Sequence, residues 1–220
     1  MTIRLAVHEA RVLESYCRRQ LGWDASALAR VVTASSAVGV FTTPPMGVLA
    51  FAAVPTTAPV STDEAVDATV PLDVLADRLR DVSDSGVDLS GLPLANPAPG
   101  AMPSLGHLPP RDGWQPPITG VSSDQVPMID AAGREFEERA AGLGARQQEQ
   151  VADEIWDRTG FGGLPVRALH SARRLGLLAD DSSRIATSTN GPWKRLSTVR
   201  GQVFVYATGP RARLALHVVA

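Results

Sequence analysis

The sequence has few of the residues that usually identify a function. Cys17 is the only cysteine, which excludes an internal disulfide bond and a cysteine-rich zinc site. Lys194 is the only lysine, and aromatic residues make up 5% of the chain. The four histidines lie far apart, without the spacing of metal ligands. We therefore expect no metal and no cofactor.

Long apolar runs and catalytic motifs are also missing. The longest uncharged stretch, 31–62, is interrupted by Pro44-Pro45, so it is predicted to form a buried hairpin and not a membrane hairpin. The amino terminus lacks the pattern of a signal peptide, and a cytoplasmic location is the default expectation. The sequence contains no GxxxxGK[ST], HExxH, GxSxG or GxGxxG motif. No catalytic residue is predicted, and the sequence favours a non-enzymatic protein over an enzyme without deciding between them.

Composition places the chain among folded proteins. It has 220 residues, of which 44% are hydrophobic and 20% charged, so it can bury a core. The net charge of −2 and the pI near 6.1 exclude a generally basic nucleic-acid coat.

The first part of the chain, 1–90, is predicted to be an acidic α+β domain. A strand over 3–7 precedes a helix whose apolar residues recur at helical spacing and which stops at Gly22, a residue that tolerates positive φ. Alternating and β-branched residues predict antiparallel strands, and a second amphipathic helix follows them. The predicted strands are 28–33, 37–42, 47–54 and 66–70, and the helix is 72–82.

Residues 91–120 are predicted to be a linker or strap. Eight of the 27 residues in 91–117 are proline and four are glycine, which disfavours a helix or a sheet strand. The segment is either a flexible tether or an extended strap on the surface. Trp114 favours local docking, because an indole is too apolar to remain free in water.

The last part, 121–220, is predicted to be a basic domain of three helices and a β-meander. The helices are 124–143, with Asp124 as its cap, 147–158 and 165–177. Asn190-Gly191 predicts a type I′ hairpin turn. Alternating residues predict further strands that end with Leu214, Leu216 and Val218. The whole chain is therefore predicted to be α+β.

Charge is divided unevenly along the chain. Residues 1–150 hold 11 basic and 18 acidic side chains, a net of −7, and residues 151–220 hold 10 basic and 5 acidic, a net of +5. Because a partner meets a local field, the basic carboxyl-terminal part favours an anionic ligand.

The carboxyl-terminal part resembles a winged helix-turn-helix. The pattern is carried by Val151-Ala152-Asp153-Glu154-Ile155-Trp156, by the helix Val166–Leu175 with the apolar-Gly-apolar stop Leu175-Gly176-Leu177, and by a hairpin from Asn190 to Arg195 as the wing. The resemblance implies that the third helix enters a DNA major groove, with cations on the hairpin side contacting phosphates. The residues that it implies as nucleic-acid ligands are Arg167, His170, Arg173, Arg174, Arg184, Lys194 and Arg195.

Two function hypotheses remain open from the sequence. One is a non-enzymatic protein that binds duplex DNA through the basic part. The other is a protein-interaction or chaperone-like adaptor that presents the uncharged sheet and the Pro-rich strap to a protein partner or to a second copy.

Overall fold

The computed structural model describes residues 3–60, 65–81, 86–89, 91–97 and 102–207. It shows an α+β fold, as predicted. The described residues form two compact units: the first contains those of 3–44, 49–97 and 104–107, and the second those of 45–48, 102–103 and 108–207. The predicted limits 1–90, 91–120 and 121–220 stay a prediction.

The first unit contains four neighbouring antiparallel strands covered by two helices. The strand order is β5-β2-β3-β4, and β1 pairs separately with β6. Helix α1 packs on α2 and on β4. The elements are β1 (Arg4–Leu5), α1 (Val7–Leu21), β2 (Leu28–Ala34), β3 (Ala37–Thr42), β4 (Leu49–Pro55), β5 (Asp67–Pro71), α2 (Leu72–Arg80) and β6 (Val87–Asp88).

The hydrophobic pattern explains how these helices cover the sheet. The α1 residues Ala10, Leu13 and Cys17 are fully buried, at the three- and four-residue spacing of one helix face. Tyr16, on the same face, shares a 2.7 Å hydrogen bond with the hydroxyl of Thr42 in β3, which satisfies both buried oxygens.

Helix α1 ends where the sequence predicts, but for a different reason. Gly22 follows its last residue and donates its N–H to the carbonyl of Arg18 at 2.9 Å. Its φ of −66° is open to any residue, so the tolerance of glycine for positive φ plays no part here.

The second unit also has helices packed on antiparallel strands, whose order is β7-β8-β9-β10. Helix α5 packs on β10 and α3 packs on α4. The elements are β7 (Ile118–Val121), α3 (Val126–Ala140), α4 (Ala145–Trp156), α5 (Val166–Arg174), β8 (Arg184–Asn190), β9 (Trp193–Thr198) and β10 (Gly201–Tyr206).

Two local predictions in this unit are wrong. Asp124 makes no cap, because it lies in a 3-10 turn over Ser123–Gln125 and α3 begins after Gln125 without a side-chain cap. The β8–β9 turn is not type I′, because Asn190 still pairs with Trp193. Its two central residues are therefore Gly191, with φ +54°, and Pro192, whose ring forbids positive φ.

Strand β7 was missed because Ile118–Val121 follows a proline pair inside the predicted strap. It pairs with β8 and adds a strand that was not predicted to the β8-β9-β10 part of the predicted meander. The strand predicted around Leu214, Leu216 and Val218 lies outside the described residues.

The described parts of the Pro-rich segment are docked. Ala95 donates its N–H to the carbonyl of Thr69 in β5 at 2.8 Å. The Trp114 ring lies 6.0 Å from the Phe204 ring, and its Nε1 donates to the carbonyl of Pro110 at 3.0 Å. The predicted docking of Trp114 is confirmed.

Candidate nucleic-acid interface

Helix α5 carries four of the seven predicted ligands. The helix is strongly amphipathic, so these polar side chains lie on the face opposite its buried apolar residues. Its apolar face is buried against the sheet, with Val166, Leu169 and Ala172 inward. The predicted ligands occupy the remaining positions at spacings of three and four residues, so they lie outside the core. These are Arg167, His170, Arg173 and Arg174.

Two of these cations are already paired with carboxylates. Arg167 bonds Asp157, and burial lowers the pKa of its guanidinium. The Nε of Arg173 lies 3.3 Å from Asp130, and its Nη1 bonds Asp180. The carboxylates offset the charges of Arg167 and Arg173, so these two arginines contribute less to the positive potential around α5.

His170 is a neutral ring in a positive environment. Its ring centre lies 4.5 Å from that of Trp156. Burial, followed by the charges of Arg174 and Arg173, lowers its pKa to about 4, against a weaker opposing effect of Asp130. At neutral pH this side chain therefore contributes a hydrogen-bonding imidazole and no charge.

A groove of about 370 Å³ lies between α3 and α5 and brings three of the predicted residues together. His170, Arg173 and Arg174 line one side of it. Helix α3 supplies the other side with the residues Ile129, Asp130, Gly133, Arg134 and Glu137. Arg134 was not predicted from the sequence, although its position one turn from Asp130 and Glu137 places all three on one helix face.

The three predicted residues on the strands do not join this groove. Lys194 donates its Nζ to the carbonyl of Gly163 at 2.6 Å. Arg195 follows it on β9 and points to the opposite sheet face, where its guanidinium lies 4.2 Å from the Trp114 ring centre. Arg184 is exposed at the start of β8. The nucleic-acid role of the seven residues stays a prediction.

The first unit has an exposed basic stripe that the sequence analysis missed. Arg11, Ser15 and Arg19 are exposed on α1 at spacings of four residues, and Val12 beside them is 42% exposed. Within the described part of the chain, Arg11 and Arg19 make no ion pair, whereas their neighbour Arg18 pairs with Glu14 and Asp77. The sequence could have indicated this stripe. No carboxylate lies four residues before or after Arg11 or Arg19, so neither has an i,i+4 ion-pair partner on the helix.

Across the described ranges, no group of three or more histidine, cysteine, aspartate or glutamate side chains could hold a metal ion. In the same ranges, no helix has both the length and the apolar character needed to cross a bilayer.

Comparisons with known families give two adjacent matches. Residues 1–100 match a domain of unknown function, DUF8010, and residues 109–210 match another, DUF8185. None of the curated proteins matches the sequence.

Solved structures similar to this chain are bacterial sliding clamps. A Helicobacter pylori beta clamp in complex with 3,4-difluorobenzamide has a TM-score of 0.58 at 13% identity, over 94% of this chain and 64% of that one. A Pseudomonas aeruginosa DNA polymerase sliding clamp has a TM-score of 0.53 at 11% identity, over 96% and 65%. The H. pylori beta clamp bound to a DNA ligase peptide has a TM-score of 0.54 at 11% identity, over 96% and 68%.

These similarities define the class of fold. The chain is folded like a DNA polymerase sliding clamp, and it spans just under two thirds of the length of the first two clamps. At this identity the likeness concerns the fold alone.

The predicted winged helix-turn-helix is wrong. The structural neighbours are sliding clamps, and the geometry agrees with them. A recognition helix must project from its domain into a groove, but α5 is packed along β10. The hairpin taken as a wing does not project, because β8 pairs with β7 and β9 pairs with β10. Helices followed by a hairpin occur in this fold and in a winged helix-turn-helix. The two folds are distinguished by how the hairpin strands pair with strands distant in sequence, which local patterns do not reveal.

Proposed function

We propose that this protein is a non-enzymatic scaffold that associates with DNA and with proteins acting on DNA. The observation that carries the proposal is a clamp-like fold that accounts for 94–96% of the chain. The similar solved structures are sliding clamps, and one of them is bound to a DNA ligase peptide. Fold does not by itself define function, so the proposal also needs surface chemistry that suits these partners.

The basic stripe on α1 has the chemistry for contacting phosphates. Arg11 and Arg19 are exposed, and a guanidinium can donate two parallel hydrogen bonds to a phosphate oxygen pair. The two lie eight residues apart, which is about 12 Å along a helix. DNA carries a phosphate about every 3.4 Å of axis on each strand, so two guanidinium groups at this separation can contact one duplex together.

The predicted cations of α5 are a second candidate contact. Arg174 is exposed, but Arg173 is held by Asp130 and Asp180. A phosphate would have to replace those carboxylates, which makes Arg173 a weaker phosphate ligand than an unpaired arginine. We therefore expect the α1 pair to contribute more to DNA affinity than Arg173 and Arg174.

The test is the binding of a fluorescein-labelled duplex, measured by anisotropy over a range of salt concentrations. We expect log affinity to fall linearly with log salt, and Arg11→Ala with Arg19→Ala to reduce the slope by about two, at about 0.9 per phosphate contact. Arg173→Ala with Arg174→Ala should reduce it less, and Arg146→Ala, an exposed arginine on α4, is the matched control. Affinity that does not depend on salt would contradict the proposal.

A second candidate is a protein-binding adaptor that uses the first unit. An apolar cavity of about 330 Å³ lies beside β5 and is lined by Val66, Val70, Leu92 and Leu94, of which Leu94 is 78% exposed. Leu94 is part of the cavity lining, so the two form one contiguous apolar surface, and such surfaces mark sites of protein interaction. Sedimentation of the intact chain tests self-association, which Leu94→Ser should weaken. A monomer at all concentrations would exclude a second copy as the occupant.

A further inference from the structure

Strands β7 to β10 have two faces, and the helices of the second unit lie on one of them. Lys194 in β9 donates to the carbonyl of Gly163 at 2.6 Å, and Gly163 belongs to the connection between α4 and α5. Because side chains alternate along a strand, Arg195 lies on the opposite face, with its cross-strand neighbours Ser188 and Phe204. We call this side the outer face of β7–β10.

The outer face collects aromatic rings. The chain has four tryptophans, two tyrosines and five phenylalanines, and four of these rings stand here. The ring centres of Trp114 and Phe204 are 6.0 Å apart, and those of Trp193 and Tyr206 are 5.1 Å apart. Phe204 and Trp193 are buried, whereas Trp114 and Tyr206 are half-buried and retain accessible surface. Accessible rings held by a buried aromatic layer are suited to stacking on another planar group.

Two arginines of the outer face have no carboxylate partner among the described residues. Arg195 donates Nε and Nη2 to the hydroxyl of Ser188, at 3.3 and 3.1 Å, and lies 4.2 Å from the ring centre of Trp114. Its Nη1 has no bond within the described part of the chain, so two N–H groups can donate to a phosphate. Burial alone lowers the pKa of its guanidinium. Arg184 is exposed four residues before Ser188 on β8, which is about 13 Å along the strand.

The strands contain no carboxylate that would repel a polyanion. None of β7, β8, β9 and β10 has an aspartate or a glutamate. Asp112 and Asp181 stand in the turns before β7 and β8, where Asp181 accepts the N–H of Ser183 at 2.9 Å, and neither forms an ion pair within the described ranges. Ser197 and Gln202 pair across β9 and β10 on the outer face, and both are half-buried polar residues that can bond the edges of bases.

We propose that the outer face of β7–β10 binds single-stranded DNA, with bases stacked on Trp114 and Tyr206 and phosphates paired with Arg184 and Arg195. The inference rests on the proposed DNA-associated scaffold, and it adds a second form of DNA to the duplex expected on α1. An unpaired nucleotide supplies both the planar group and the phosphate that this face matches. A duplex keeps its base faces inside the stack, so it can reach the arginines but not the rings.

The experiment measures the anisotropy of a fluorescein-labelled oligothymidylate of about 12 nucleotides, a length within the site sizes of single-strand binding proteins, with the full chain. An abasic strand of equal length is the matched probe, because it keeps the phosphates and lacks the bases. We expect it to bind about tenfold more weakly, the effect of about one stacked base. Tyr206→Leu should weaken binding of oligothymidylate and leave binding of the abasic strand unchanged.

The arginines are tested through salt dependence. Arg184→Gln with Arg195→Gln should reduce the slope of log affinity against log salt by about 1.4, at about 0.7 per phosphate contact on a single strand. Arg184 is exposed, so Arg184→Gln alone should fold normally and reduce the slope by about 0.7. Arg146→Gln, at an exposed arginine of α4, is the matched control and should leave the slope unchanged.

Three results would overturn the inference: equal binding of the two strands, no binding of either, or an unchanged slope in the Arg184 and Arg195 variants. A loss of oligothymidylate binding in Arg11→Ala with Arg19→Ala would also overturn it, because the strand would then bind α1. Duplex binding by the α1 variants is measured separately. A chain that binds the duplex but not oligothymidylate contradicts this inference alone, and the reverse result contradicts only the duplex contact proposed for α1.

Discussion

The ring of His170 lies 4.5 Å from the ring of Trp156, between the arginines of α5 and the core of the second unit. Burial and these arginines lower its folded pKa to about 4, whereas an unfolded histidine titrates near 6.5. The unfolded chain therefore binds more protons as the pH falls. Above about pH 6.5 the imidazole is neutral in both states and does not lower the free energy of unfolding. As the pH falls from 6.5 toward 4, only the unfolded chain binds the proton, so the free energy of unfolding decreases.

We expect His170→Phe to make stability less dependent on pH. The change keeps an aromatic ring against Trp156 but removes the proton site, which contributes at most about 3 kcal/mol across this window. Urea unfolding at pH 7.5 and pH 4.5 measures the difference, and His8→Phe, at an exposed histidine of α1, is the control. An unchanged difference in the His170 variant would show that its imidazole titrates as it does in water.

Two glycines should respond to alanine with opposite signs. At Gly39 in β3, a Cβ would lie 2.3 Å from Cε2 of Phe51, so Gly39→Ala should destabilise the fold by about 1–3 kcal/mol. At Gly133 the Cβ meets open space, and Gly133→Ala should stabilise by about 0.5–1 kcal/mol through helix propensity. Chemical denaturation of both variants measures the change in the free energy of unfolding. A decrease in both variants would contradict the open space described at Gly133.

Trp114 should hold the Pro-rich segment on the second unit. Its ring contacts Phe204 and lies under the guanidinium of Arg195. Trp114→Ala removes both contacts and should speed proteolysis between residues 102 and 117. Trp23→Ala, at a half-buried tryptophan after α1, is the comparison. Cleavage at the same rate as in the unaltered chain would mean that the backbone bonds alone hold the segment.

Cys17 should be inert in the native protein. It is fully buried, and burial raises the pKa of its thiol to about 12, so almost no thiolate forms at neutral pH. A chromogenic disulfide reagent at pH 8 should label it only after denaturant is added. Fast labelling of the folded chain would show that α1 opens locally.

Local patterns predicted most of the elements but not their long-range arrangement. Helical spacing located α1 and α2, and alternation located β2, β3 and β9, because each depends on the period of a single segment. Strand β7 was missed because it is recognised only through its pairing with β8, 63 or more residues further along the chain. The same limit led to the winged-helix prediction.

The candidate sites were predicted less well than the fold. The charge count located the basic carboxyl-terminal part but not the pairing of Arg167 with Asp157 or of Arg173 with Asp130 and Asp180. Such pairs depend on packing between elements, and they leave other arginines as the accessible cations. Two of these, Arg11 and Arg19, stand in the half of the chain that is acidic overall.

Chemical footprinting of arginines tests the central claim most directly. The intact chain is treated with a phenylglyoxal reagent with and without excess duplex DNA, and modification is measured at each arginine by mass spectrometry. We expect duplex DNA to protect Arg11 and Arg19 from modification, while the exposed Arg146 stays reactive. Equal modification of Arg11 and Arg19 with and without DNA would contradict it.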